Sequence, residues 1–495
     1  MRLSEWRDVF RDGRAVPTVV LVLAIGLHAV DVFVISTIMP TVVQEIGGEA
    51  FYAWSTMVYM VASIAGAASG GPLKATLGAR KSFAVGGLLF LIGSAACGAS
   101  PSMPVLLVAR TVQGFGGGLL LAQSMGLIGE LYPPALRTRI LAMVSGVWGV
   151  AALIGPLVGG IFAEIGWWRG AFWTTVPIIA AFTAGAWQAL PRTASVAPPA
   201  PFPVRRILLL AAGVMSAGIA GIIPSLWPML PLQLAKIAGG ASGLWVALLL
   251  LMGAVLLVAQ TFRLDGAATN RLFPPRPLSI RRPVGLAYWI LFLFSMTHTA
   301  IGIYLPLALQ VLHGVTPLAA GYANATLAMS WTLASFVTAG WRNAAERAAI
   351  VGGPLLALLG LAGLSLGVTS LPPLVACALA GLVGLGIGAG NLHLVALAMR
   401  VAEPGFESLT ASSIPTIRSL GISFGAAAAG LIANMAGLDD GLSVDTVAAA
   451  ATWVYGAAVA APALSLILAI RISVLRSPAA ANAPRREQGQ PAAKA

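Results

Sequence analysis

The stretch VPTVVLVLAIGLHAVDVFVISTIMP, residues 16–40, is a long apolar run that follows the basic start of the chain, MRLSEWRDVFRDGR. A helix needs about 20 apolar residues to cross the hydrocarbon core of a bilayer, and this run is long enough. It is longer than the ~7–15-residue apolar core of a cleaved signal peptide, and it has no obvious A-x-A exit. We therefore interpret it as the first membrane span, with one acidic residue, Asp31, inside it.

The composition extends this interpretation to the whole chain. Of the 495 residues, 58% are hydrophobic and 9% are charged, whereas a soluble domain carries about 25% charged residues. A soluble fold with so few charged side chains could not cover its surface, so most of the chain must face lipid. We predict an all-α polytopic membrane protein, in which the abundant glycines and alanines let helices approach closely within the bilayer.

Fourteen apolar runs are long enough to be membrane spans. Their approximate bounds are 17–40, 51–71, 82–99, 104–129, 139–163, 170–190, 206–229, 241–262, 284–311, 317–340, 349–370, 372–398, 408–436 and 446–471.

The basic residues predict the orientation of these spans. If the N-terminus is cytoplasmic, all but four of the 29 lysines and arginines fall in cytoplasmic segments; the exceptions are Arg110, Arg169, Lys236 and Arg418. This asymmetry follows the positive-inside rule and predicts that both termini are cytoplasmic. We expect the protein to lie in the inner membrane. It also explains the net charge of +13 without a nucleic-acid partner.

The spans predict a 6 + 2 + 6 layout. A Pro-rich linker, PRTASVAPPAPFPVRR, follows the sixth span, and a basic loop, RLDGAATNRLFPPRPLSIRRP, precedes the ninth. The predicted parts are a cytoplasmic tail (1–16), an N-terminal six-helix bundle (17–190), a linker with two additional helices (191–283), a C-terminal six-helix bundle (284–472) and a disordered cytoplasmic tail (473–495).

Asp31 is the most unusual residue in the predicted spans, because an aspartate at the centre of a span costs about 2.5–3.5 kcal/mol on insertion scales. It lies roughly 13 Å below the outer end of its span, and Arg110 lies roughly 9 Å below the outer end of the fourth span. Gln113 shares the helix face of Arg110, since it follows at i+3. We predict that Asp31, Arg110 and Gln113 form a proton-coupling group; the alternative is a static polar contact between helices.

Arg418 is a third charge in the interior of a predicted span, in SIPTIRSLGISFG. It could contribute to substrate binding or coupling, or it could extend toward the cytoplasm with its charge in water. His28 and His298 could be proton relays or ordinary polar helix residues. The four histidines have no metal-ligand spacing, so we expect no metal site, and Cys97 and Cys377 lie in apolar runs as expected for buried thiols.

Two stretches resemble signatures of the major facilitator superfamily, and within it of the fourteen-span drug:proton antiporters. RTVQGFGGG, residues 110–118, is similar to the fourth-helix signature R-x-x-Q-G. GVWGVAALIGPLVGG, residues 146–160, is similar to the fifth-helix antiporter signature. The residues that carry the fifth-helix likeness are Gly146, Gly155, Pro156, Gly159 and Gly160.

A third stretch, GPLKATLGARK (71–81), resembles the superfamily's loop between helices two and three. Gly71, Gly78 and Arg80 match that loop, but Ala75 stands where the family has an acid that helps to latch the cytoplasmic side. The departure puts the usual latch in doubt, and we expect easier inward opening.

The resemblance implies a major facilitator fold of two six-helix bundles plus two extra central helices. It also implies a proton-coupled antiporter that exports small amphipathic organic compounds or drugs by alternating access, with protons as coupling ion, no other cofactor, and a monomeric state. On this interpretation Gly155, Pro156 and Gly159 shape the contact of helix five with the other half, unless they serve plain packing. His298, Tyr304 and Arg418 are candidates for the cavity wall.

Three other functions are compatible with a polytopic membrane protein. A proton-coupled importer of a small metabolite could use the same fold, and the likeness on span five argues against it. A membrane enzyme would need clustered acids near one interface, and the cytoplasmic acids form no such motif: Glu130, Asp265, Glu346, Glu403 and Glu407. A sensor is disfavoured because the sequence has no soluble signalling domain.

Overall fold

Long helices form on the apolar runs because backbone polar groups in a bilayer must be satisfied within their own segment. The structure is a computed structural model that describes residues 9–11, 13–190, 203–226 and 243–475, and this part of the chain contains no β-strand. Residues 191–202 of the predicted Pro-rich linker, residues 227–242 and residues 476–495 of the predicted C-terminal tail lie outside the described residues.

The helices are α1 (Ala15–Ile46), α2 (Trp54–Gly98), α3 (Met103–Leu131), α4 (Pro134–Glu164), α5 (Arg169–Trp173), α6 (Thr175–Ala189), α7 (Val204–Leu226), α8 (Gly243–Gly266), α9 (Pro283–His313), α10 (Pro317–Thr338), α11 (Ala344–Gly367), α12 (Pro373–Arg400), α13 (Glu407–Met435), α14 (Val444–Ala458) and α15 (Ala460–Leu475). Eleven segments of the described residues are long and apolar enough to cross a membrane.

Helix α2 reverses direction at Gly78, whose backbone angles, φ 80° and ψ 167°, are not helical. Before the bend, Gly66 lies against Phe115 of α3 and Gly70 lies against Ala122 of α3. This part of α2 therefore runs parallel to α3. After the bend, Gly93 lies against Gln113 of α3, so the chain returns antiparallel. Glycine suits the bend, because its φ is positive and L-residues with a side chain rarely adopt that conformation.

The helices form an N-terminal half, α1–α6, and a C-terminal half, α9–α15. Within the halves, α1 packs on α4, α2 on α3, α9 on α13, and α12 on both α10 and α11. The halves meet where α4 packs on α10 and where α2 packs on α13. Helices α7 and α8 pair with each other, and α7 lies against α13 and α2 at the edge of this second seam.

Within each half, successive membrane crossings alternate in direction. We use "termini side" for the end where α1 begins and α15 ends, and "far side" for the opposite end. The halves are joined by hydrogen bonds toward the far side: Asn434 Nδ2 donates to the Ala50 carbonyl at 2.9 Å, and Gln310 Nε2 donates to the Thr37 carbonyl at 3.4 Å. Contacts between the halves therefore close the far side.

Candidate functional site

Asp31, Arg110 and Gln113 form one hydrogen-bonded triangle between α1 and α3. Arg110 Nη1 donates to Asp31 Oδ2 at 2.5 Å and to Gln113 Oε1 at 2.6 Å. Gln113 Nε2 donates to the other carboxylate oxygen, Asp31 Oδ1, at 2.8 Å. The residues are 4%, 1% and 1% exposed, respectively. Each residue contacts the other two, so a change in the charge or position of one alters the hydrogen bonds of both others.

The local sequence explains how these side chains reach each other. Asp31 lies about 24 Å along α1, which places it near the middle of that helix. The glycines after Gln113 let neighbouring helices approach: a Cβ at Gly114 would be 2.3 Å from the Tyr59 carbonyl oxygen, and one at Gly117 would be 2.9 Å from His28 Nδ1. Side chains at these positions would push α1 and α2 away from α3 and part the triangle.

Residues of α2 complete the surroundings of the triangle. Ser94 Oγ accepts from Gln113 Nε2 at 2.9 Å and donates to the Phe90 carbonyl at 2.8 Å. The Arg110 guanidinium carbon lies 4.1 Å from the centroid of the Tyr59 ring, a cation–π geometry. Sequence reasoning missed Ser94 and Tyr59; their only signal is that they are polar residues within apolar runs.

The chemistry of the triangle depends on the protonation state of Asp31. An ionised carboxylate only accepts hydrogen bonds, and here it accepts from Arg110 and from Gln113. A protonated carboxyl group carries one donor and neutralises the charge that holds the guanidinium. Protonation would therefore weaken both bonds and leave Arg110 as an uncompensated buried cation, which favours rearrangement of α1 relative to α3.

The helix-five motif lies on α4, and its residues face two different partners. A Cβ at Gly155 would be 2.4 Å from Phe33 Cβ, and one at Gly159 would be 3.1 Å from the Val34 carbonyl oxygen. Both glycines thus contact α1 of the same half, and the prediction that they contact the other half is wrong. Gly155 and Gly159 are four residues apart and share one face of α4. The rotation of α4 about its axis directs that face toward α1.

The contact with the other half is made by Pro156 and Gly160, which directly follow Gly155 and Gly159. A Cβ at Gly160 would be 2.4 Å from the Cα of Leu318 on α10, and Pro156 Cβ would be 2.8 Å from a Cβ at Gly321. Pro156 therefore has the predicted position between the halves. A Cβ at Gly146 would have no neighbour within 4 Å, so this glycine does not take part in either contact.

The loop motif residues have three separate positions on the termini side. Gly78 forms the bend of α2. Arg80 Nε donates to the Leu190 carbonyl at 3.0 Å and its Nη2 to the Gln188 carbonyl at 3.3 Å, so its charge satisfies carbonyl groups at the end of α6. A Cβ at Gly71 would have no neighbour within 4 Å.

The predicted cavity residues separate into two groups. His298 and Arg418 both contact Trp331 of α10: the His298 and Trp331 ring centroids are 5.6 Å apart, and the Arg418 guanidinium carbon is 4.9 Å from the Trp331 ring centroid. Tyr304 is elsewhere, 1% exposed, with its ring 5.8 Å from that of Tyr52. The prediction that Tyr304 lines a cavity is therefore wrong, because it packs in the closed far-side seam.

Comparisons with known proteins agree with this architecture. The chain matches the Major Facilitator Superfamily over residues 21–426. It is 33% identical over 450 residues to a protein of Mycobacterium tuberculosis named "Probable multidrug-efflux transporter", covering 88% of this chain and 90% of that protein. It is 26% identical over 424 residues to the "Multidrug transporter protein MdtP" of Bacillus subtilis, covering 84% of this chain and 74% of that protein.

Solved structures show the same fold. A D-xylose-proton symporter superposes with a TM-score of 0.61 at 15% identity, covering 92% of this chain and 96% of that chain. A peptide transporter in complex with sulfate also gives a TM-score of 0.61, at 17% identity and with 93% and 95% of the two chains covered. The protein is a multi-pass membrane transporter and not an enzyme, and the chain belongs to the Major Facilitator Superfamily.

Proposed function

We propose that the protein is a fourteen-span, proton-coupled antiporter that exports small amphipathic organic compounds or drugs across the inner membrane. Both termini lie in the cytoplasm, so the termini side is cytoplasmic and the far side is the exit. The protein works as a monomer by alternating access, with the two halves moving around a binding site between them.

The observation that carries this proposal is the buried triangle of Asp31, Arg110 and Gln113. A carboxylate in the middle of a span is unfavourable unless it is paired or functional. Here it is paired by one cation and one amide whose hydrogen bonds depend on its charge. Asp31 is proposed to take a proton from the far side and to release it to the cytoplasm, while Arg110 and Gln113 respond to its charge.

A continuous set of contacts could convey that response to the seam between the halves. Asp31 lies on α1, and α1 packs on α4 through Gly155 and Gly159. Pro156 and Gly160, on an adjoining face of α4, contact α10 of the other half. A shift of α1 that follows protonation would therefore displace α4 at the point where the far side is closed.

Export is favoured as the direction because relatives that cover most of this chain are named as multidrug-efflux transporters. Coupling to protons rests on the triangle alone. Asp31 is therefore the residue to test.

The test is substrate-dependent proton release from inverted membrane vesicles acidified inside. A pH-sensitive dye reports the lumen while a panel of dyes and antibiotics is added, and the wild-type protein is expected to raise the lumenal pH with at least one compound. Asp31→Asn should abolish that response, and Asp445→Asn, at an exposed acid on the far side, is the matched control. Accumulation of a compound with no accompanying proton movement would refute antiport.

A further inference from the structure

Arg418 differs from two buried arginines that the structure describes within or beside the helices. Arg110 pairs with Asp31, and Arg206 pairs with Asp265. Among the described residues, no carboxylate lies within ion-pair distance of Arg418; the contact found for its guanidinium is the Trp331 ring. A cation inside a span is unfavourable without a counter-charge, and the Trp331 ring does not supply one.

Arg418 is in the interior part of α13 and beside the seam between the halves. It lies about 17 Å from the start of that helix and about 26 Å from its end. Gly421 and Gly425 pack on α9, whereas Ile422, one turn after Arg418, packs on the buried apolar cluster of the N-terminal half. Arg418 therefore lies between the face that turns to α9 and the face that turns to the other half.

Trp331 has a similar position on α10. Ala328, three residues earlier, packs on an apolar cluster that includes Ala29 and Phe33 of the N-terminal half. Residues three apart share a helix face, so Trp331 also turns toward the seam. His298 and Arg418 meet this indole from α9 and α13, and all three side chains are partly exposed. A cation, an aromatic surface and an imidazole are thus directed to one place between the halves.

We infer that Arg418, Trp331 and His298 bind the acidic end of the substrate, and that the exported compounds are aromatic organic anions such as carboxylates. The inference rests on the proposed function, because it specifies the substrate of that transporter. A planar guanidinium can donate two parallel hydrogen bonds to a carboxylate, and an indole face can stack on an aromatic ring. His298 can add a hydrogen bond, since its ring carries both a donor and an acceptor.

The same positions disfavour a cationic substrate. A cationic compound within the membrane is favoured by an unpaired carboxylate, and Asp31 is already held by Arg110 and Gln113. The uncompensated charge on the described seam is positive, at Arg418. Electrostatics therefore select for a negative group on the transported compound.

The test uses three fluorescent probes that share one aromatic ring system and differ in charge: dansylglycine (anion), dansylglycinamide (neutral) and dansylcadaverine (cation). Their binding to the purified full-length protein is followed by energy transfer from tryptophan to the dansyl group. The wild-type protein should bind dansylglycine the most tightly. Arg418→Gln should weaken that binding by at least about tenfold, as expected for the loss of charge-assisted hydrogen bonds, and should leave dansylglycinamide unchanged.

Two further variants keep the test decisive. Arg418→Lys preserves the charge without the planar fork, so it should retain part of the preference for dansylglycine. Arg342→Gln removes an exposed arginine that precedes α11, and it should behave as wild type. The inference is overturned if Arg418→Gln binds dansylglycine as well as wild type, if wild type shows no preference for the anion, or if the variant loses all three probes in parallel.

This measurement is made at equilibrium with no proton gradient, so it is independent of coupling. Anion preference that depends on Arg418 in a protein without proton exchange would leave the inference intact and remove the antiport proposal. Proton exchange that depends on Asp31 together with unchanged anion binding in Arg418→Gln would do the reverse.

Discussion

Gly160→Ala should part the two halves on the far side. An ordinary contact between carbon atoms is about 3.5–4.0 Å, but the new Cβ would lie 2.4 Å from the Cα of Leu318. Helices α4 and α10 would therefore have to separate by roughly 1.1–1.6 Å. Because the obstructing atom is backbone, rotation of a side chain cannot relieve the overlap.

The size of the effect follows from the cost of overpacking, which is about 1–3 kcal/mol. This strain exists only while the far-side seam is closed, so it shifts the equilibrium toward the state in which the halves are parted there. At a factor of ten for each 1.4 kcal/mol, the shift is about 5- to 150-fold. Efflux should fall, because loading from the cytoplasm requires the far side to be closed.

The assay is labelling of Thr37→Cys by a membrane-impermeant maleimide from the far side, in a background without Cys97 and Cys377. Thr37 is fully buried beside Gly321 in the closed seam, so the labelling rate should rise in Gly160→Ala. Gly146→Ala, at an open position, is the matched control. Unchanged labelling with normal efflux would refute the seal, and loss of expression alone would favour plain packing.

Asp31→Leu should lower stability much more than Asp31→Asn does, by about 3–5 kcal/mol, because it leaves the buried guanidinium without a partner; thermal unfolding in detergent measures the difference, and equal melting temperatures would contradict it. Asp265→Ala should also lower the melting temperature, since Asp265 pairs with a buried arginine and accepts from the backbone N–H groups of Leu272 and Phe273; a melting temperature equal to that of wild type would show that this network is dispensable. Cysteines at Ile280 and Asp445 should label from opposite sides of the membrane, cytoplasmic and external respectively, and labelling of both from one side would refute the proposed orientation.

The contact between Asp31 and Arg110 could be anticipated from the sequence because depth in a helix follows from a fixed rise per residue. Two residues at similar depth on neighbouring spans can meet, and a long arginine side chain can reach its partner over a range of helix rotations. The role of the pair as a proton carrier remains a proposal.

The positions of Gly155, Gly159 and Tyr304 could not be deduced in the same way. The depth of a residue in the membrane does not determine which neighbouring helix its side chain contacts. Each step along a helix rotates the side-chain direction by about 100°. The step from Gly159 to Gly160 is enough to change the partner from α1 to α10. Trp331 was missed for a related reason. It is significant because His298 and Arg418 contact it from other helices, and the sequence of α10 alone does not predict those contacts.

We propose that Asp31 carries the exchanged proton, and comparing two kinds of transport in one variant tests this claim. Proteoliposomes with Asp31→Asn are loaded with a compound that wild type transports, and both uphill transport on a proton gradient and exchange of labelled for unlabelled compound are measured. We predict that uphill transport is lost while exchange continues, since exchange moves no proton. Uphill transport at the wild-type rate would contradict the claim.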